Sequence, residues 1–223
     1  MTHMLRTTAG SHERFLVIEV FGRYAGFTTM IPALAGAADR CLIPEHPFDM
    51  DKLTKLMMED RDRNPSNYAV VLVSEGATMK EQKEMSFEGE EKDMFGHKKL
   101  GGIGDKVSAE LKERSARFNN GRPVGIVNQR LSYMVRCGEP DAFDSIVPMA
   151  FGNIALDLIN AGQSGQLVSL RKGLYDHGPL EIIMGNKKLV NVKKYYDKDK
   201  LRPRFGSFDK RPLFIMTTEI VND

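Results

Sequence analysis

Cysteine is nearly absent from this chain. Of its 223 residues only Cys41 and Cys137 carry thiols, far apart in sequence, which excludes a disulfide framework and suits a reducing compartment. An excess of one charge is missing too. The 32 basic and 30 acidic residues interleave to a net +2, leaving no broad electrostatic footprint for nucleic acid or an anionic membrane. No apolar stretch reads as long enough to span a bilayer, and Met1-Thr-His-Met4 lacks the charged-then-apolar order of an export signal. His12, His46, His97 and His177 show no metal-ligand spacing. There is no internal repeat, no low-complexity linker and no Gly-x-x-x-x-Gly-Lys-Ser/Thr phosphate loop. The expectation is a soluble, cytoplasmic protein of one large or two small domains, with enough apolar content for a real core.

What is present alternates between strand-like and helix-like runs, the pattern of a mostly parallel α/β sheet flanked by helices. Strands are expected at 15–21, 40–43, 68–74 and 122–131, and helices at 25–38, 50–62, 105–117 and 141–162. Asp49 is placed to cap the second helix, and Pro148 to bend the last or mark a late start. Residues 77–100 are polar and without periodicity, an excursion or flap. Residues 166–171 and 174–177, joined across Lys172-Gly173, read as a β-hairpin. The tail from 193 is dense in charge and proline, with one apolar run at 213–216.

The most informative segment is Glu19-Val-Phe-Gly-Arg-Tyr-Ala-Gly26. A buried strand ends abruptly in a Gly-Arg turn before a helix of small residues. It delivers Arg23 to the carboxyl end of a strand, where open α/β sheets bind ligands. Arg14 stands at the start of the same strand. Far downstream lies Tyr133-Met-Val-Arg136-Cys-Gly-Glu-Pro140. Several arginines beside tight glycines suit a phosphate-bearing substrate, because a guanidinium offers planar, permanently charged donors in a fixed fork.

These segments, with Ser11-His-Glu-Arg14, Ala35-Gly-Ala-Ala-Asp39, Ile43-Pro-Glu45, Val73-Ser-Glu-Gly76 and the hairpin at Lys172-Gly173, occur in an order that resembles the carboxyl-terminal part of a 6-phosphofructokinase. The likeness runs from about Leu5 to Met216. It implies a phosphofructokinase-like, Rossmann-like fold, incomplete relative to the family. It divides the chain into a fructose 6-phosphate-side domain (1–136), a segment belonging to the donor-side domain (137–185) and a tail (186–223). It also implies phosphoryl transfer from ATP or pyrophosphate to the 1-hydroxyl of fructose 6-phosphate with Mg²⁺, and a homo-oligomer. On that resemblance Arg14 and Arg136 grip the 6-phosphate, Arg14 across a subunit interface. Phe21 and Gly22 line the sugar pocket, Glu75 accepts from sugar hydroxyls, and Tyr133 contacts phosphate or sugar. Arg23, near the transferring phosphoryl group, is the one catalytic residue assigned. The family often carries another basic ligand six residues before Tyr133. Here that position is Val127, with Arg130 the nearest substitute.

The donor-side motifs of the family, a Gly-Gly-Asp loop and a Thr-Ile-Asp-Asn-Asp segment, do not occur in this sequence. Asp49-Met-Asp51 and Asp60-Arg-Asp62 read as caps or solvated faces of an ordinary helix, and Gly101-Gly-Ile-Gly104 as a simple helix start. The chain is therefore expected to bind sugar phosphate but transfer nothing alone, with the donor and the Mg²⁺ ligands in a separate amino-terminal part. The alternative is a non-catalytic sugar-phosphate-binding or regulatory fragment.

Overall fold

A computed structural model describes residues 1–82, 85–92, 98–171, 173–185 and 187–208. The described chain forms two compact units. One comprises Met1–Val135 with Leu189–Ser207, and the other is built on Arg136–Lys188. Residues 189–207, expected to be a tail, thus return to the first unit.

The first unit is organised by a helix that the sequence did not suggest, α1 (Thr2–Gly10), followed by β1 (Phe15–Val20), α2 (Phe27–Leu34), β2 (Arg40–Leu42), α3 (Met50–Arg63) and β3 (Ala69–Ser74). Short strands β4 (Phe87–Lys92) and β5 (Lys98–Leu100) pair antiparallel, where no regular structure was expected. Helix α4 (Ile103–Ser115) and β6 (Ile126–Arg130) complete the unit's main body. The sheet has the order β2-β3-β1-β6, and all its strands are parallel. Every residue of β1 and β3 is buried, as unbroken apolar runs require when helices cover both faces. Asp49 caps α3 by accepting from the Lys52 N–H at 2.9 Å. Helix α2 stops sooner than expected: Pro32 sits inside it and Gly36 adopts φ +76 just beyond its end.

The edge strand β2 is covered by the returning segment, which carries α6 (Val192–Tyr195) and a small ladder of β9 (Tyr196–Asp197) with β10 (Arg202–Pro203). The Cys41 N–H donates to the Leu201 carbonyl at 2.9 Å, and the Tyr196 hydroxyl donates to the Cys41 carbonyl at 2.7 Å. An uncovered edge would present unpaired backbone groups; residues 189–207 act as a strap across it. Burial raises the pKa of both the Cys41 thiol and the Tyr196 phenol, so each stays neutral beneath the strap.

The second unit holds α5 (Ala142–Asn160) and the antiparallel hairpin of β7 (Gln166–Arg171) and β8 (Leu174–Pro179). The turn residue Lys172 lies outside the described residues, as does the apolar run at 213–216. Asp141 and Asp144 form a capping box at the start of α5. Pro148 therefore lies within the helix rather than delaying it. Contrary to the expectation of no stretch long enough to span a bilayer, α5 is long and apolar enough by length and composition. It nevertheless carries Asp144 and Asp157 and packs Phe151 edge-on against Tyr175 of the hairpin. Phe143, Ile146, Met149, Leu156 and Ile159 are all exposed, and among its residues only Leu158 is buried. Exposed apolar side chains grouped on one helix mark an interaction surface. The chain is expected to bind an anilinonaphthalene dye strongly. The double substitution Met149→Lys/Leu156→Lys should remove most of that fluorescence without lowering the melting temperature. Unchanged dye binding would place the apolar surface elsewhere.

Candidate functional site

Parallel strands bring their carboxyl ends to one edge. Adjacent strands lie about 4.8 Å apart, so the loops after β3, β1 and β6 are neighbours there. They contain Glu75, the Phe21–Arg23 turn and Tyr133, with Arg130 closing β6.

The centre of this edge is a crossing of two loops. Gly22 has φ +149, and a Cβ on it would meet the Ser74 hydroxyl at 2.5 Å. Gly76 is tighter still: its Cβ would lie 1.9 Å from the Arg23 carbonyl oxygen. Only glycine fits at both positions. The crossing is stitched by hydrogen bonds. The Gly22 N–H donates to Glu75 Oε1 at 3.2 Å. The Gly22 carbonyl accepts from the Ser74 hydroxyl at 2.7 Å and the Gly76 N–H at 3.2 Å. The Phe21 carbonyl accepts from the Thr28 hydroxyl. On the far side of Arg23, the Gly26 N–H donates to both oxygens of Glu45 at 3.1 Å. Phe21, Gly22, Arg23 and Glu75 are each half-buried: held in place, yet not sealed from solvent.

Beside this crossing lies an ionic network around Glu19, which is 3% exposed. Glu19 Oε2 accepts from the Gly104 N–H at 2.7 Å, and Oε1 pairs with Arg130 at 3.3 Å. Arg130 also reaches Asp105 Oδ2 at 3.1 Å, and Asn128 donates to the other Asp105 oxygen. A helix amino terminus attracts an anion, and at α4 that anion is the chain's own carboxylate. The glycine run 101–104 is thus a helix start satisfied internally. A buried acid needs such partners to remain charged.

Tyr133 and Arg136 share one 3₁₀ turn, Ser132–Arg136, directly after β6. Tyr133 is 74% exposed. Arg14 lies at the opposite end of β1, with its stem against the backbone of Gly125. With about 3.3 Å of rise per residue, β1 separates it from the Gly22 turn by roughly 20 Å. One chain therefore does not bring Arg14 to the same point as Arg23 and Glu75.

Among the described residues no cluster of three or more His, Cys, Asp or Glu side chains is placed to hold a metal. The acids of this edge are engaged: Glu19 with Gly104 and Arg130, Glu75 with Gly22, Glu45 with Gly26, Asp105 with Asn128 and Arg130. This donor set does not fit the Mg²⁺ that the family resemblance implies.

Sequence reasoning assigned neither Glu19 nor Glu45 to the site. The signal for Glu19 was visible, an acid within an otherwise apolar strand. No local pattern marks Glu45, whose partners Gly26 and Val190 are distant in sequence.

The phosphofructokinase family model matches residues 1–159. The ATP-dependent 6-phosphofructokinase 3 of Streptomyces coelicolor is 36% identical over 167 residues, covering 75% of this chain and 46% of that protein. The pyrophosphate–fructose 6-phosphate 1-phosphotransferase of Amycolatopsis methanolica is 36% identical over 168 residues, again 75% of this chain and 46% of that protein. Among solved structures, a pyrophosphate-dependent phosphofructokinase from Nitrosospira multiformis superposes with a TM-score of 0.71 at 17% identity, over 91% of this chain and 49% of that one. The chain spans about half the length of the curated relatives it matches.

Proposed function

Because the chain belongs to the phosphofructokinase family, we propose that it forms the acceptor part of a 6-phosphofructokinase and binds fructose 6-phosphate at the carboxyl edge of its parallel sheet. The observation that carries this reading is the Gly22–Gly76 crossing, which fixes the backbone of Arg23 beside the carboxylate of Glu75. Phe21 and Gly22 line the sugar pocket. One Glu75 oxygen holds Gly22, and its second oxygen is the acceptor for sugar hydroxyls. Arg136 takes the 6-phosphate, with Tyr133 on the same turn against phosphate or sugar. Arg23 faces the group in transfer, and Arg130 adds positive charge next to it. Arg14, at the far end of β1, serves the site of a second copy of the chain in a homo-oligomer.

In the assembled enzyme the reaction is phosphoryl transfer from ATP or pyrophosphate to the sugar 1-hydroxyl, in the cytoplasm. The donor, the Mg²⁺ and the base that activates the hydroxyl belong to a donor-side part, and α5 offers that part an apolar docking face. The isolated chain binds without transferring.

A hydrogen bond to a charged group contributes on the order of 1.5–3 kcal/mol net. In calorimetric titration with fructose 6-phosphate, Arg136→Ala should therefore weaken binding by roughly one to two powers of ten. Equal affinity in the two proteins would remove Arg136 from the site. A non-catalytic binding module is the second reading, supported by the engagement of Glu19, Glu45 and Asp105 with the chain's own groups. Adding a donor-side polypeptide separates the two, since only the first reading regains transfer.

A further inference from the structure

The turn that carries Arg23 is bracketed by two carboxylates. Glu75 holds its beginning through the Gly22 N–H, and Glu45 holds its end through the Gly26 N–H. Glu45 has a second client. Its Oε1 also accepts from the Val190 N–H at 2.8 Å. Val190 is buried and lies where the chain re-enters the first unit after Lys188. The fit around Glu45 is close. A Cβ at Gly26 would lie 2.4 Å from the Ile43 side chain and 3.1 Å from Glu45 Oε2. Beyond Val190 the strap is anchored to β2 and α3: Leu201 to Cys41, Lys200 to Arg40, and Asp199 to Lys52.

We propose that Glu45 is the positioning residue for Arg23 and that it couples the Arg23 turn to the strap, residues 189–207. This rests on the acceptor-site reading above for its functional half. The chemistry is specific to a carboxylate. Two amides from distant segments converge on two oxygens that only accept. An amide side chain replaces it imperfectly: with its carbonyl at the Oε1 position it still accepts from Val190 and Gly26, but it loses the charge and its NH₂ then faces the Gly26 N–H, donor against donor. When the strap is seated, the carboxylate is held against Gly26 and the Arg23 backbone is fixed. When the strap is displaced, Glu45 loses an anchor and the turn loosens.

The test compares the full chain with Glu45→Gln and Glu45→Ala by two readouts. The first is hydrogen–deuterium exchange without ligand, followed in peptides covering residues 20–27 and 187–195. Both variants should accelerate exchange in both peptides, while α3 and β3 keep their protection, which separates the effect from general unfolding. The second is calorimetric titration with fructose 6-phosphate. Affinity should fall about tenfold in Glu45→Gln, the size expected for losing a charge-assisted hydrogen bond that orders the site, with little change in melting temperature. Faster exchange in one peptide alone, or in neither, would overturn the coupling. Undiminished affinity in Glu45→Gln would overturn the positioning role. If the unsubstituted chain does not bind the sugar phosphate, the acceptor reading and the positioning role fail with it; the exchange pattern then decides the coupling by itself.

Discussion

Gly76→Ala is expected to be the most damaging single-methyl change in this protein. The added Cβ would sit 1.9 Å from the Arg23 carbonyl oxygen, 2.7 Å from its carbonyl carbon and 3.0 Å from the Gly22 carbonyl oxygen. All three obstacles are backbone atoms, so no rotamer change relieves the clash. The loops after β1 and β3 would have to part by about 1.5 Å to restore normal contact distances. That movement breaks the Gly76–Gly22 bond and disturbs the Ser74 and Glu75 bonds to Gly22. The stability cost should be about 3 kcal/mol, the upper range for overpacking. Fructose 6-phosphate affinity should drop by about a hundredfold or more, since Arg23 and Glu75 lose their common frame. Gly152→Ala is the matched control. It lies within α5 with nothing within 4 Å of its Cβ position, and there alanine should stabilise by roughly 0.5–1 kcal/mol. Urea denaturation of both variants checks the pair; near-native stability in Gly76→Ala would show that the loops do not cross as described.

The second large effect is expected at the buried ion pair beneath the strap. Arg40 meets Asp60 through two parallel contacts of 2.6 Å, Nε to Oδ2 and Nη2 to Oδ1, and donates a third bond to the Lys200 carbonyl. The side chains are only 3% and 12% exposed. Removing one partner leaves an uncompensated buried charge, which costs about 3–5 kcal/mol, whereas replacing both by apolar groups of similar volume is often neutral. Arg40→Met should therefore be severely destabilised, and Arg40→Met/Asp60→Leu should recover most of the loss in urea. The double variant still lacks the bond to Lys200, so protease should cut within residues 198–204 faster than in the unsubstituted chain. Equal stability of the single and double variants would contradict the pairing.

The parts of the fold that could be read in advance are those encoded locally. The largely apolar runs of β1 and β3 and the Asp49 cap each follow from a few consecutive residues. The features that escaped depend on residues distant in sequence. Glu45 acquires its meaning only when Gly26 and Val190 arrive beside it. Arg130 faces Glu19 because β6 pairs with β1 in a register that no local pattern reveals. The strap looked like a charged tail because its few buried residues, Val190, Tyr196, Leu201 and Pro203, are spaced too irregularly to show periodicity. Helix α2 was overestimated because its small apolar residues continue past the point where Pro32 and Gly36 end it.

Whether the Gly22–Gly76 crossing is the acceptor site is tested most directly by titrating fructose 6-phosphate into the ¹⁵N-labelled chain while following backbone amides. Saturable shifts are expected, concentrated at Gly22, Arg23, Gly26, Gly76 and the Ser132–Arg136 turn. A folded chain whose amide spectrum does not respond, or responds only away from those positions, would contradict that assignment.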